Sequence, residues 1–303
     1  MLERRYNKFV VVGMGGSHLA ADLVKMALPD LDIVVHSDYG LPKVFPNILE
    51  AQLPEEVELP LIVVVSHSGN TEEAIVAFYE AIKNNWSVVA VSVNGQLLEL
   101  AKQHNIPYIQ LPDLGLQPRF ATQYHLEALL KIMGQEIILP ANLVDQEEAG
   151  GGLAQKLKDK IPIIYSSTKN WALANNWKVR INETSKAPAF CNVFPELNHN
   201  EMVGFDPTSP RNAGLRGAGS FYFIFIKDHD DHPQILKRMA ATQQILEDRN
   251  FGVTILELEG NSIWEKILNN INLADAATRS LAQLYNIDPE QVPLVEEFKK
   301  LIA

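Results

Sequence analysis

The 303-residue sequence contains a single cysteine, Cys191. That excludes a disulfide framework and a thiolate-held metal cluster. Positive charge is in the minority, with 26 Lys and Arg against 37 Asp and Glu, a net charge of −11. A nucleic-acid binder carries a basic face, and this balance argues against one without excluding a small local anion pocket. Long apolar runs are also missing. Leu61–Val65 is typical of the longest, far short of the roughly 20 residues of a membrane span. The opening Met1-Leu2-Glu3-Arg4-Arg5-Tyr6 has neither the apolar core nor the cleavage site of a signal peptide, so the expectation is a soluble, cytoplasmic protein. With 47% apolar and 21% charged residues there is enough material for sizeable cores.

What is present is an alternation of short β-branched runs with amphipathic stretches. Strands are expected at 8–14, 32–37, 61–65, 87–93 and 107–110, and helices at about 18–28, 72–84 and 121–133. Strands separated by helices of this length imply βαβ units and a parallel sheet covered on both faces. The pattern restarts with strands at 160–165, 221–227 and 252–258, helices at about 171–185 and 233–250, and a helical tail from Ile263. The reading is α/β, with two doubly wound parallel-sheet domains of flavodoxin-like type. Residues 1–137 form the first domain, 138–152 a linker and 153–303 the second. Gly150-Gly151-Gly152, after an acidic stretch, is expected to mark a hinge or a linker-helix cap.

Two loops have the chemistry to hold an anion. Ser66-His67-Ser68-Gly69-Asn70-Thr71 lies between a buried strand and a helix, where open parallel sheets bind ligands. Free N–H groups at the helix start, a glycine and three hydroxyls suit a phosphate. The loop lacks the lysine that nucleoside triphosphates need, so a phosphomonoester on a small molecule fits better. Simple capping explains the same residues about equally well, because Asn70-x-x-Glu73 resembles a capping box. Gly13-Met14-Gly15-Gly16-Ser17 suggests a dinucleotide loop, with Asp38 loosely at the ribose position, but His18 stands where the third glycine belongs. Both loops follow strands expected to be parallel, so both should open on one sheet edge.

With Gln117-Pro118-Arg119, Asn182-Glu183-Thr184-Ser185-Lys186 and Pro195-Glu196-Leu197-Asn198-His199-Asn200-Glu201, these loops complete an ordered set of motifs. The serine-rich loop resembles the sugar isomerase (SIS) domain. The whole set resembles the bifunctional phosphoglucose/phosphomannose isomerase family, which has two SIS domains, and the resemblance covers nearly the whole chain. It implies isomerisation of a hexose 6-phosphate without metal or organic cofactor, in a homodimer with active sites near the subunit interface. By resemblance, Ser66, Ser68 and Thr71 hold the phosphate, and Gly15, Gly16 and Ser17 line the sugar. Arg119 stands near the reacting carbons and Glu183 is the base. His199, reaching in from the partner subunit, and a C-terminal lysine, Lys299 in preference to Lys300, handle ring opening. Three departures stand out: only about seven residues precede the first strand, His67 occupies a position commonly Tyr, and Ser92-Val93-Asn94-Gly95 replaces a Thr-Ser-Gly-Gly-like turn.

The chemistry asks for these groups. Ring opening needs a proton carrier between O1 and O5, which suits histidine. Moving the weakly acidic C2 proton needs a carboxylate, and the enediolate needs a permanent cation. Taken singly, each residue has a plainer explanation: an ion-pair row of Glu183 with Arg180 and Lys186, a structural histidine at 199, a locally paired Arg119, a solvated Lys299. It is their ordered appearance together that favours catalysis. His229-Asp230-Asp231-His232 and Glu196-x-x-His199 carry metal-ligand chemistry, but a polar turn and a proline-broken segment are poor scaffolds for an ion. The competing functions are a non-catalytic sugar-phosphate sensor, an isomerase of another sugar phosphate and, more weakly, a nicotinamide-dependent oxidoreductase.

Overall fold

The computed structural model describes residues 6–42, 59–140, 143–206 and 219–302. The chain divides into two compact units, Met1–Leu139 and Pro140–Ala303.

The first unit is built from β1 (Lys8–Val12), α1 (Leu19–Ala27), β2 (Asp32–His36), β3 (Leu61–Val65), α2 (Glu72–Lys83), β4 (Val88–Ser92), α3 (Gly95–Gln103), β5 (Tyr108–Gln110) and α4 (Thr122–Ile132). All its strand pairs are parallel, in the order β2-β1-β3-β4-β5. Leu-Ile-Val-Val-Val of β3 is buried at every position, as expected of a central strand with helices on both faces. Ile62, Val64, Val10 and Val12 pack on Ala74, Ala77, Phe78 and Ala81 of α2. Successive strands are added on one side of β1 (β2) and then on the other (β3, β4, β5), so the crevice at the carboxyl ends of β1 and β3 is the switch point where such sheets bind ligands.

The second unit contains α5 (Glu147–Leu157), β6 (Ile161–Ser167), α6 (Trp171–Thr184), β7 (Phe190–Phe194), β8 (Phe221–Lys227), α7 (Pro233–Glu247), β9 (Gly252–Glu257), α8 (Ile263–Leu284) and α9 (Pro293–Ile302). Its parallel sheet runs β7-β6-β8-β9, the first unit's order without the fifth strand. Pro162 is tolerated in β6 because β7 joins only from Ile163 onward, so its missing N–H breaks no ladder bond. One side of this sheet is aromatic: Tyr165, Phe194 and Phe225 meet with ring centroids 5.5–5.9 Å apart.

Two readings change. Gly150-Gly151-Gly152 is neither a hinge nor a helix cap but lies within α5, whose cap positions are Gln146 and Lys158. A Cβ on Gly150 would fall 2.6 Å from that of Ala276, so this glycine lets α5 and α8 approach closely. Sequence punctuation cannot distinguish a glycine kept for packing from one kept for a turn. Asn70 does not cap α2. Its Oδ1 accepts from Gln96 N at 3.0 Å, at the start of α3, and Thr71 is the N-cap residue of α2.

At the second unit's switch point the crevice is filled with charge. Lys169 and Lys266 reach the buried Asp228 at 2.9 and 2.8 Å, and Lys266 also reaches Asp230 at 2.6 Å. Asn170 bridges Ser167 and Asp231, and His232 caps α7 by accepting from Gln234 N. The His229–His232 segment is thus committed to ion pairs and capping. Burial alone would raise the Asp228 carboxyl, but the hydrogen bonds from the two lysines outweigh it and hold the group at about 2. A carboxylate depressed in the fold stabilises it above its unfolded value, about 4, and that contribution is lost as pH falls towards 2. Asp228→Asn is therefore expected to cost about 2 kcal/mol at pH 7, less than a fully buried pair would because Lys169 is half exposed. Denaturant titrations should show the deficit shrinking below pH 4. An equal deficit at pH 7 and pH 2 would contradict the charge pairing as its source.

Candidate active site

The first unit brings seven of the expected residues together at the β1/β3 crevice. Gly15, Gly16 and Ser17 form a single 3-10 turn after β1, and Ser66, Ser68 and Thr71 follow β3. The three hydroxyls are not equivalent. Ser66 is fully buried and donates to Thr71 Oγ1 at 2.9 Å, while Ser68 is exposed and its Oγ accepts from Asn70 N at 3.3 Å. The main-chain N–H of His67 donates to Ser17 Oγ at 3.1 Å, tying the two loops together.

Arg119 joins this group through the main chain. Residues 118–120 form a 3-10 turn before α4, and a Cβ on Gly16 would lie 2.8 Å from both Arg119 N and Pro118 Cβ. Glycine is required at 16 because the two turns touch backbone to backbone. The Arg119 side chain is fully buried, its guanidinium 4.8 Å from the Phe120 ring centroid. A charge held in such surroundings acts more strongly than one in water. Thr122 Oγ1 fastens the turn by donating to Arg119 O at 2.9 Å.

The other three residues lie on the second unit. Glu183 is half-buried in the last turn of α6. The motif around it ends the helix. Lys186 adopts φ +54° and donates Nζ to Glu183 O at 2.5 Å, Asn182 donates to Ala187 O at 2.9 Å, and Ser185 donates to Thr278 O at 2.9 Å. Arg180, in the expected ion-pair row, is buried and donates to Asp275 at 2.6 Å and Asn176 at 2.7 Å. His199 is exposed at the end of the 3-10 turn Glu196–His199. Its neighbours are anchored: Leu197 is buried in the core and Asn198 donates to Thr242 Oγ1 at 2.8 Å. Glu201 accepts from Tyr165 OH at 2.7 Å and from the Asn192 amide. Burial, and then Glu201 itself, keep the Tyr165 phenol protonated by raising its pKa. Lys299 is exposed on α9 and pairs with Glu296 at 2.8 Å, one turn away.

Comparison with known proteins adds the decisive observation. A family profile described as the bacterial phospho-glucose isomerase C-terminal SIS domain matches residues 146–302. A bifunctional phosphoglucose/phosphomannose isomerase of Aquifex aeolicus is 32% identical over 306 residues, spanning 97% of this chain and 90% of the relative. The chain belongs to this family. An enzyme of the same description from Caldicellulosiruptor bescii is 30% identical, spanning 98% of the chain and 90% of the relative. A solved structure of a hypothetical protein from Thermus thermophilus superposes with a TM-score of 0.69 at 16% identity, covering 98% of this chain and 83% of that one, which bears on fold alone.

Within the family motifs, sequence reasoning assigned no role to Asn182, Ser185, Asn198 or Glu201, and assigned Lys186 only a place in a surface ion-pair row. The structure shows them anchoring the segments that carry Glu183 and His199. Their signal was already present, since polar residues that cluster around a candidate base and acid without reacting are usually its supports.

Proposed function

We propose that this chain interconverts glucose 6-phosphate or mannose 6-phosphate with fructose 6-phosphate through an enediolate. The observation that carries the reading is the β1/β3 crevice: a serine-threonine loop at a helix start and a buried arginine meet across Gly16, in a chain of this family. Aldose and ketose are isomers, so the conversion consumes no redox equivalent. It needs an anion site, a base, ring-opening groups and a charge stabiliser.

The first unit supplies the anion site and the stabiliser. Ser68, Thr71 and the α2 N–H groups take the phosphate, with Ser66 bracing Thr71 from beneath. Gly15, Gly16 and Ser17 line the sugar, and Arg119 offsets charge on the enediolate oxygen. The second unit supplies Glu183 as the base moving the proton between C2 and C1, and His199 and Lys299 for proton transfer during ring opening. Glucose and mannose 6-phosphates differ only at C2 and share one planar enediol, so a single base serves both if the intermediate rotates about C2–C3. We further propose a cytoplasmic homodimer. The α9 helix that carries Lys299 exposes Leu294, Phe298, Leu301 and Ile302, an apolar stripe suited to a second copy.

The test is a coupled assay on glucose and mannose 6-phosphates side by side. Fructose 6-phosphate formed from either substrate supports the reading. Tight binding of both without turnover would instead make the chain a sugar-phosphate sensor, and inertness to both with turnover of another sugar phosphate would reassign the substrate.

A further inference from the structure

His67 does more than occupy the serine loop. Its main chain holds the two neighbouring loops, donating to Ser17 Oγ at 3.1 Å and accepting from Val93 N at 3.1 Å. Its ring reaches the third segment of the crevice, with Nε2 2.9 Å from Leu116 O, three residues before Arg119. On the other side of Arg119 the same ring packs against His125, with centroids 5.2 Å apart and planes inclined at 41°. His125 is fully buried in the first turn of α4, and its Nδ1 lies 2.9 Å from Ala121 O.

These contacts fix the protonation of both rings. A carbonyl oxygen only accepts, so His67 carries its proton on Nε2 and His125 on Nδ1. The remaining nitrogens, His67 Nδ1 and His125 Nε2, are buried without a partner. Both rings are therefore neutral at pH 7, and desolvation lowers the pKa of each, that of His125 to about 4. A neutral pair brings no second cation towards the guanidinium.

Resting on the functional reading above, we propose that His67 is a positioning residue that sets Arg119 against the phosphate loop. It grips the Arg119 segment at Leu116, braces it at His125, and ties both contacts through its own backbone to Ser17 and the β3 loop. Without the ring, Gly16 still admits Arg119 and Thr122 still holds its carbonyl, but the grip on Leu116 that ties residues 116–119 to the β3 loop is gone. The sequence singled out His67 only as a departure from the usual Tyr, and the function left it unused.

The test compares two amides of similar polarity. The longer side chain of His67→Gln can place its Nε2 amide where the imidazole Nε2 sits, whereas that of His67→Asn falls short of Leu116 O. His67→Asn is expected to lower kcat about 10–100-fold with KM changed less than about threefold, and His67→Gln to recover most of the loss. In an Arg119→Ala background the same His67→Asn change should cost less than about twofold, because the residue acts through Arg119. Equal activity of the two variants, a loss confined to KM, or the same loss in both backgrounds would overturn the inference. Long-range ¹H–¹⁵N spectra of the native protein give a readout free of turnover. They should show His67 as the neutral Nε2–H tautomer at pH 7, and an Nδ1–H tautomer or an imidazolium would overturn the assignment. Absence of turnover by the native chain, with the tautomer as expected, would count against the functional reading alone.

Discussion

Glu183→Gln is expected to lower kcat by about 10²–10⁴-fold or more on either hexose phosphate, with KM nearly unchanged. The substitution keeps size and hydrogen-bonding capacity and removes only the ability to take a proton. The end of α6 is secured by Lys186, Asn182 and Ser185, and none of these contacts uses the Glu183 carboxylate. In the proposed reading phosphate recognition falls to the first unit, so ground-state binding should survive. The loss should therefore fall on the transition state, as expected when a group acts only there. Two measurements check it: steady-state kinetics, and exchange of the substrate C2 hydrogen with deuterated solvent, which should stop together with turnover. Activity within tenfold of the native chain, or persisting exchange, would remove Glu183 as the base and leave the phosphate site standing.

The strands that position the crevice were legible because they are buried on both faces. Lys8–Val12, Leu61–Val65 and Phe221–Lys227 are runs of β-branched or aromatic residues, and their burial follows from the helices flanking a parallel sheet. Two elements escaped for the opposite reason. The edge strand Phe190–Phe194 is only partly buried, and Asn192 and Cys191 interrupt its apolar character. The nine-residue helix Gly95–Gln103 begins on a glycine with φ +78°, which reads as a turn. The candidate site was legible only as a set of residue types, and the division of labour among its hydroxyls was not. That Ser66 braces while Ser68 faces solvent depends on which hydroxyl the loop folds inward. That Gly16 exists for Arg119 depends on a contact spanning about a hundred positions of sequence. The second unit repeats the first unit's strand order, yet Asp228, Asp230 and Asp231 occupy the place of the proposed phosphate loop. A phosphate would meet carboxylates there, so the repeated strand order does not repeat the proposed anion site.

Gly69→Ala should damage the proposed phosphate site more than any change to a single hydroxyl. Gly69 has φ +71°, and a Cβ there would stand 1.8 Å from Asn94 O and 2.9 Å from Ser92 Oγ. The opposing Gly95, with φ +78°, is as tight: its Cβ would stand 2.3 Å from Ser68 O. The loops after β3 and β4 thus interlock backbone to backbone. Leu97 N donates to Gly69 O at 2.8 Å, and Gln96 N donates to Asn70 Oδ1 at 3.0 Å. The left-handed conformation costs alanine about 1–2 kcal/mol. The overlap with Asn94 O is with main chain, so it is relieved only by separating the loops. A displacement of about 1 Å at groups that orient a substrate costs about 10²-fold. KM for the sugar phosphate should rise by roughly that factor, protection by inorganic phosphate against thermal unfolding should disappear, and Tm should fall by several degrees. Gly151→Ala is the control. It lies within α5 with nothing inside 4 Å of the added methyl, so it should raise stability by up to about 1 kcal/mol and leave the kinetics alone. If Gly69→Ala bound and turned over substrate like the native chain, the β3 loop could not be the phosphate cradle, because no alanine fits there without moving it.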